Sequence, residues 1–199
     1  DVYKRQLVTL LVGLVSAATA AAHWQEVLLF IEGGDFGWVE PVWSLDASFY
    51  VFDLVLLLAV FRWLAALLVV AFVVSGATYT ALGTVRVQLV QQDGQLVATG
   101  VLMPPEVQRH VGSLVAAFLS VLAVVAYLRR YAAMYEPSGL FTGPGYADLH
   151  TTLPLLTAEA VGTAICAFLA FVAIGRGSLA GMAAVTATIG VLKAATALV

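Results

Sequence analysis

The chain has 199 residues, of which 62% are hydrophobic and only 11% charged, with a mean hydropathy of +0.99 and a formal net charge of −3. A soluble domain carries about 25% charged residues, so this chain cannot cover a water-facing surface and its apolar surplus is expected to face lipid. The small, scattered charge argues against a nucleic-acid partner, and the lone Cys166 excludes an internal disulfide and a cysteine-rich metal site.

The first six residues, DVYKRQ, read as a translated transposon-end sequencing adapter. Residues 1–6 are therefore set aside as a scar, and residues 7–199 are expected to be an internal fragment of a longer membrane protein. A membrane-crossing helix needs about 20 mostly apolar residues. The first run, about 7–22, is a shortened span. Residues 24–48 then carry Glu26, Glu32, Asp35, Glu40 and Asp46 with no Lys or Arg, which places them outside. Trp24, Trp38 and Trp43, with Phe36, Phe49 and Tyr50, suit an interfacial aromatic belt there.

The second span runs over about 49–77. Residues 78–110 follow with Arg86, Arg109 and His110, a cytoplasmic pattern. Within them, about 84–101 alternate apolar and polar residues around Asp93-Gly94, which predicts a small β-hairpin. Pro104 and Pro105 then suit the start of a short helix leading onward. The third span, about 111–131, ends on Arg129 and Arg130. That pair dissents from an outside loop at 132–152, although cations favour a helix C-terminus. The fourth span covers about 153–174, a cytoplasmic turn at 175–177 carries Arg176, and the fifth covers about 178–199. Continuous apolar runs of this length satisfy their backbone groups internally as helices, not as barrel strands. The fold class is all-α, a polytopic transmembrane helix bundle of about five spans with a small cytoplasmic β-hairpin.

Ionisable residues within spans are functional hypotheses by default. Four occur: Asp53, Arg62, Glu159 and Lys193. Asp53 reads as a boundary acid in a first helical turn. Arg62 lies roughly 14 Å deeper on the opposite face of the same helix, so the two cannot pair, and Arg62 is expected to face other helices. Glu159 and Lys193 are equidistant from Arg176, which puts them at equal depth in an antiparallel pair and predicts their contact. Gly177 and Gly181 form a GxxxG that suits close helix approach.

Sequence motifs give no reaction. GGDFG holds the kinase Asp-Phe-Gly triplet without its partners, GPGY lacks the phosphate-loop spacing, and His23, His110 and His150 are dispersed. Asp148 and His150 alternate with Tyr146, so an extended loop would put the three on one face.

The stretches FIEGGDFGWVEPVWSLDASFYVFDL and RHVGSLVAAFLSVLAVVAYLRRYAAMYEPSGLFTGPGYADLHTTLP resemble the membrane part of uncharacterised protein family 0182. The resemblance rests on Gly33, Gly34, Asp35, Phe36, Gly37, then Pro41, Asp46, Phe49, Tyr50, then Arg130, Tyr131, and finally Gly143, Gly145, Tyr146, Asp148, Leu153 and Pro154. Glu40 stands where the family usually has Asp, Val55 where it commonly has Pro, and Pro144 and Ala147 alter the Gly-Tyr loop. The resemblance implies a bacterial multi-pass plasma-membrane protein of seven spans, of which this chain covers the third to the seventh. It also implies a large extracellular domain after them. Gly33, Gly34, Asp35, Phe36, Tyr146, Asp148 and His150 then form an outer-face loop site, expected to pack together as a seat for that domain or for a partner.

Three functions compete. The leading one is a membrane platform for an exported domain, in contact with the bilayer. The second is a transporter or channel component using Arg62 and the intramembrane acids, which a polar cavity reaching Arg62 would favour. The third, an enzyme with an outward site at Asp35, Asp148 and His150, has no nucleophile, cofactor loop or metal cluster to support it. No cofactor is expected, and a homo-oligomer or another envelope partner stays open.

Overall fold

The structure is a computed structural model. It describes residues 2–92, 95–135, 143–146, 148–175, 187, 188 and 190. Among the described residues, five helices and one strand pair occur in chain order: α1 (Val2–Ala21), α2 (Trp24–Glu32), α3 (Leu54–Ala81), β1 (Arg86–Gln92), β2 (Gln95–Leu102), α4 (Pro105–Ala132) and α5 (Leu153–Gly175). Short π-helical turns, Phe49–Asp53 and Asp148–Thr152, lead directly into α3 and α5.

Among the described residues, three helical stretches are long and apolar enough to cross a membrane: Phe49–Ala81, Pro105–Ala132 and Asp148–Ile174. At 1.5 Å per residue, a 28-residue helix such as α4 is about 42 Å long, more than the roughly 30 Å hydrocarbon core of a bilayer. In the apolar window of Phe49–Ala81 only 11% of residues are buried within the chain. A helix apolar on all sides yet so little covered belongs in lipid or against further helices.

The first span differs from the sequence expectation. Thr9–Ala21 and Trp24–Glu32 pass the length and hydropathy test only together, and they are bent by 46° at Ala22-His23. Residues 24–32 are therefore helix, not the start of an outer loop. Glu26 and Glu32 suggest a loop in a count of charges, but Val27, Leu28, Leu29, Phe30 and Ile31 between them supply a helix. With this bent pair as one span the count reaches up to four; the expected fifth, about 178–199, lies outside the described residues apart from 187, 188 and 190. Two boundaries also shift. α3 runs on to Ala81, where Gly83 at φ +64 turns the chain out. α4 starts at Pro105 in its first turn as one continuous helix, with no separate short helix before it.

β1 and β2 pair antiparallel from Arg86↔Leu102 to Gln92↔Gln95, with one register shift at Gln88/Leu89. Asp93 and Gly94 between them lie outside the described residues.

Antiparallel packing of α3, α4 and α5 creates two cores. Tyr50, Leu54 and Leu58 meet Leu128, Met134 and Leu153, with Phe49, Trp43 and Leu149 packed around them. Ala116 and Leu119 on α4 meet Cys166, Ala167 and Ala170 on α5. Small side chains at 116, 167 and 170 let those two helices approach closely. The first core joins the start of α3, the end of α4 and the start of α5. Residues 33–48 and 143–152 therefore emerge at the same end of the bundle.

Candidate functional site

Residues 33–48 form a hydrogen-bonded loop built around two carboxylates. Asp46 Oδ1 accepts the Phe36 amide at 3.0 Å and the Ser48 amide at 2.8 Å, and Val39 and Asp46 form an isolated bridge. The Ala47 amide donates to the Trp38 carbonyl at 2.9 Å and the Glu40 amide to the Leu45 carbonyl at 2.8 Å. The amides bound to Asp46, Ser48 foremost, hold its carboxyl below the usual aspartate range. Inside the tight turn, Glu40 is buried. Its carboxylate accepts the Val42 amide at 2.6 Å, the Trp43 amide at 2.8 Å and the Tyr50 hydroxyl at 3.1 Å. Glu40 thus ties the turn to the start of α3.

The two leading glycines have different surroundings. A Cβ on Gly33 would lie 2.5 Å from both the Leu29 carbonyl oxygen and the Phe52 ring, whereas one on Gly34 meets open space. Phe36 packs edge-on against Phe52 at 5.4 Å between centroids and remains half exposed, and Asp35 lies between glycine and aromatic in the exposed part of the loop.

The aromatic belt divides. Trp24, Phe36 and Trp38 point outward, but Trp43, Phe49 and Tyr50 turn into the bundle. Trp43 and Phe49 contact Tyr131 at 5.3 and 5.4 Å, and Tyr50 contacts Tyr135 at 6.1 Å. The reason is the Glu40 turn, which folds the chain back over the end of α4. There Arg130 lies over two rings, its guanidinium carbon 4.6 Å from the Trp43 centroid and 4.8 Å from that of Tyr127. Its neighbour Arg129 reaches the carboxylate of Glu159 at 3.7 Å. The arginine pair that dissents in the loop charge count is thus compensated within the fold: one by a carboxylate, the other by rings. Glu159 is 1% exposed on α5, and Thr163 below it donates back to the Glu159 carbonyl at 2.7 Å. Lys193, its expected partner, lies outside the described residues.

In the second loop, Asp148 Oδ2 accepts the Gly145 amide at 2.9 Å and its Oδ1 accepts the Thr152 hydroxyl at 3.1 Å. His150 Nδ1 lies 2.9 Å from the Tyr146 carbonyl oxygen, and the two rings stack at 3.9 Å. Asp148 and His150 therefore serve a π-helical turn and do not alternate along an extended strand, which corrects the expected shared face. Tyr146 is 79% exposed. Among the described residues no hydrogen bond or ion pair joins Asp35 to Asp148 or His150; what the two loops share is a cavity. It measures about 590 Å³ and is lined by Trp38, Glu40 and Ala47 from the first loop, Tyr50, Val51 and Val55, then Met134, Tyr135 and Gly143 from the second connection. Gly143 takes φ +116 there, a conformation that favours glycine.

A second cavity of about 640 Å³ lies beside the α1–α2 bend. Its walls include His23, Glu26, Arg62 and Trp63 with Val55, Leu58, Ala132 and Tyr135. His23 Nδ1 lies 3.1 Å from Glu26 Oε1, and Trp63 Nε1 donates to the Thr19 hydroxyl at 3.1 Å. Arg62 thus faces α1 and α2 across this space. Asp53 closes the π-turn before α3, half-buried, without a side-chain capping bond. Among the described residues no group of three or more His, Cys, Asp or Glu side chains is placed to hold a metal ion.

The family model described as "Uncharacterised protein family (UPF0182)" matches residues 4–199. The chain belongs to the UPF0182 family. A UPF0182 protein of Kocuria rhizophila is 34% identical over 174 residues, which are 86% of this chain and 17% of that protein. A UPF0182 protein of an Arthrobacter species is 32% identical over 163 residues, 82% of this chain and 15% of the relative. One from Mycobacterium tuberculosis is 34% identical over 167 residues, 81% of this chain and 16% of the relative. The chain therefore spans about a sixth of the length of the UPF0182 relatives it matches. No solved structure matches.

Sequence reasoning missed Glu40 as an organiser, noting it only as a departure, and missed the Arg130 stack. Each has a signal in hindsight. An acid directly before Pro41 can cap the turn that the proline starts, and Trp43, Tyr127 and Tyr131 are the rings available to a membrane-boundary arginine.

Proposed function

We propose that this chain is the membrane-embedded platform of a bacterial plasma-membrane protein, with residues 33–48 and 143–152 forming the outer seat for a domain carried elsewhere in the longer polypeptide. One observation carries this reading: two hydrogen-bonded loops border a common cavity, the second through Gly143, at one end of a bundle whose helices are long and apolar enough to cross a membrane. Exposed Trp38, Phe36 and Tyr146 rim that end, as an interface for a partner requires. The sidedness is supported by Asp35, Glu40 and Asp46 in residues 33–48, against Arg86, Arg109 and His110 at the other end. Placing Arg129 and Arg130 outside is eased by their compensation within the fold. Photo-crosslinking residues at 38 and 146 of the full-length protein test the seat. Adducts to polypeptide beyond residue 199 are expected, and adducts to lipid alone would contradict it.

The Arg62 cavity favours a second reading, a transport component. Broken helices at membrane depth serve such proteins by lining a polar site, and the α1–α2 bend sets His23 and Glu26 beside that cavity. A cysteine at position 62 that reacts with impermeant reagents from either face of the membrane supports it; reaction from one face alone does not.

A further inference from the structure

Arg130 is a cation set against two aromatic rings with no acceptor at its Nε. Its guanidinium carbon lies over the rings of Trp43 and Tyr127, and a ring face leaves the N–H donors unused. Among the described residues no carboxylate lies within ion-pair range of Arg130, since Glu159 is engaged by Arg129. The Arg130 Nε is buried without a hydrogen-bond acceptor, and so is the Nε1 of the stacked Trp43. Two buried donors in contact, one of them charged, cost stability unless an acceptor arrives.

Directly at Arg130 a crevice of about 320 Å³ opens between α4 and α5. Apart from Arg130 and Tyr127 its lining is aliphatic, hollowed by the small side chains Ala123, Ala160 and Ala164. Val161 on its edge is 54% exposed, so the crevice opens sideways to the surroundings of the bundle. The shape is that of a cationic head position above an apolar slot, at the helix end where Trp and Tyr rings gather.

We propose that this crevice binds one anionic phospholipid, its phosphate at the edge of Arg130 and an acyl chain between α4 and α5. The proposal rests on the membrane reading above. A guanidinium restrained against two rings can offer its N–H groups in the bidentate geometry of a phosphate. The slot beneath accepts methylenes and excludes a polar ligand. A free phosphate would leave the slot unfilled, and a zwitterionic lipid would bring a second cation to the site.

The test is native mass spectrometry of the chain purified in neutral detergent, titrated with phosphatidylglycerol and phosphatidylcholine of identical chains. Wild type is expected to retain one phosphatidylglycerol with roughly tenfold preference, equivalent to about 1.4 kcal/mol. Arg130→Gln should remove the preference while leaving phosphatidylcholine retention unchanged, and Arg130→Lys should keep part of it. Ala164→Trp, at an exposed position, should fill the slot and reduce retention of both lipids. It keeps the test decisive should Arg130→Gln fail to fold. Equal retention of the two lipids by wild type would overturn the proposal. So would undiminished binding to Ala164→Trp, full competition by inorganic phosphate, or crosslinks from position 164 to protein instead of lipid. Carbonate extraction of the expressing membranes separates the two ideas: a chain that stays in the pellet but shows no lipid preference refutes the site and not the membrane reading.

Discussion

Replacing Glu40 should loosen the end of the bundle at residues 33–48 more than any other single change in that loop. Its carboxylate accepts two amides and the Tyr50 hydroxyl, and the side chain is 8% exposed. Glu40→Ala strands all three donors. Tyr50 is also 8% exposed, so its hydroxyl regains little water, which costs about 1–3 kcal/mol. The Val42 and Trp43 amides are only part-buried and rehydrate, adding about 1 kcal/mol between them. A loss of about 3 kcal/mol is expected, against about 1–2 kcal/mol for Tyr50→Phe, which removes one bond to the carboxylate. The two changes share that bond, so their effects should fall short of additivity by about 1 kcal/mol. Reversible SDS unfolding in bicelles, followed by tryptophan fluorescence, measures each corner of the cycle. A Glu40→Ala loss below about 0.5 kcal/mol, the scale of an ordinary surface change, would refute the reasoning, because the turn would then hold without its acceptor.

Gly33→Ala should destabilise by about 1–3 kcal/mol as the new methyl meets the Leu29 carbonyl and the Phe52 ring, while Gly34→Ala should be nearly neutral; the same unfolding assay separates them. Asp46 has a lowered carboxyl pKa, so its contribution is present above the unfolded value of about 3.9 and is lost as pH falls below it toward the folded value. Hydrogen exchange at the Phe36 amide should accelerate through that acid range, and Asp46→Asn should flatten the dependence. Arg129→Gln and Glu159→Gln should couple by about 1 kcal/mol in a double-mutant cycle, since Arg129 is half exposed and solvent screens the pair; added salt should reduce the coupling.

The long apolar runs of α3, α4 and α5 are legible in the sequence because about 20 consecutive apolar residues are themselves the signature of a helix able to cross a bilayer, without needing a partner's identity. α2 is not, because Glu26 and Glu32 mark it as a loop although its interior is apolar. The inward turn of Trp43, Phe49 and Tyr50 depends on the Glu40 turn, a tertiary consequence that no periodicity carries. Asp148 and His150 illustrate the same limit. Their spacing suits an extended strand, and a π-helical turn instead commits both to local bonds. Glu159 was legible as a charge in need of compensation, while its contact with Arg129 depends on how α4 and α5 lie together.

The membrane platform is tested most directly by labelling single cysteines in a Cys166→Ser background on intact cells with an impermeant maleimide. Positions 35 and 145 should react together and position 94 only after the membrane is opened. Reaction of position 94 in intact cells, or protection of 35 where 145 reacts, would contradict the account.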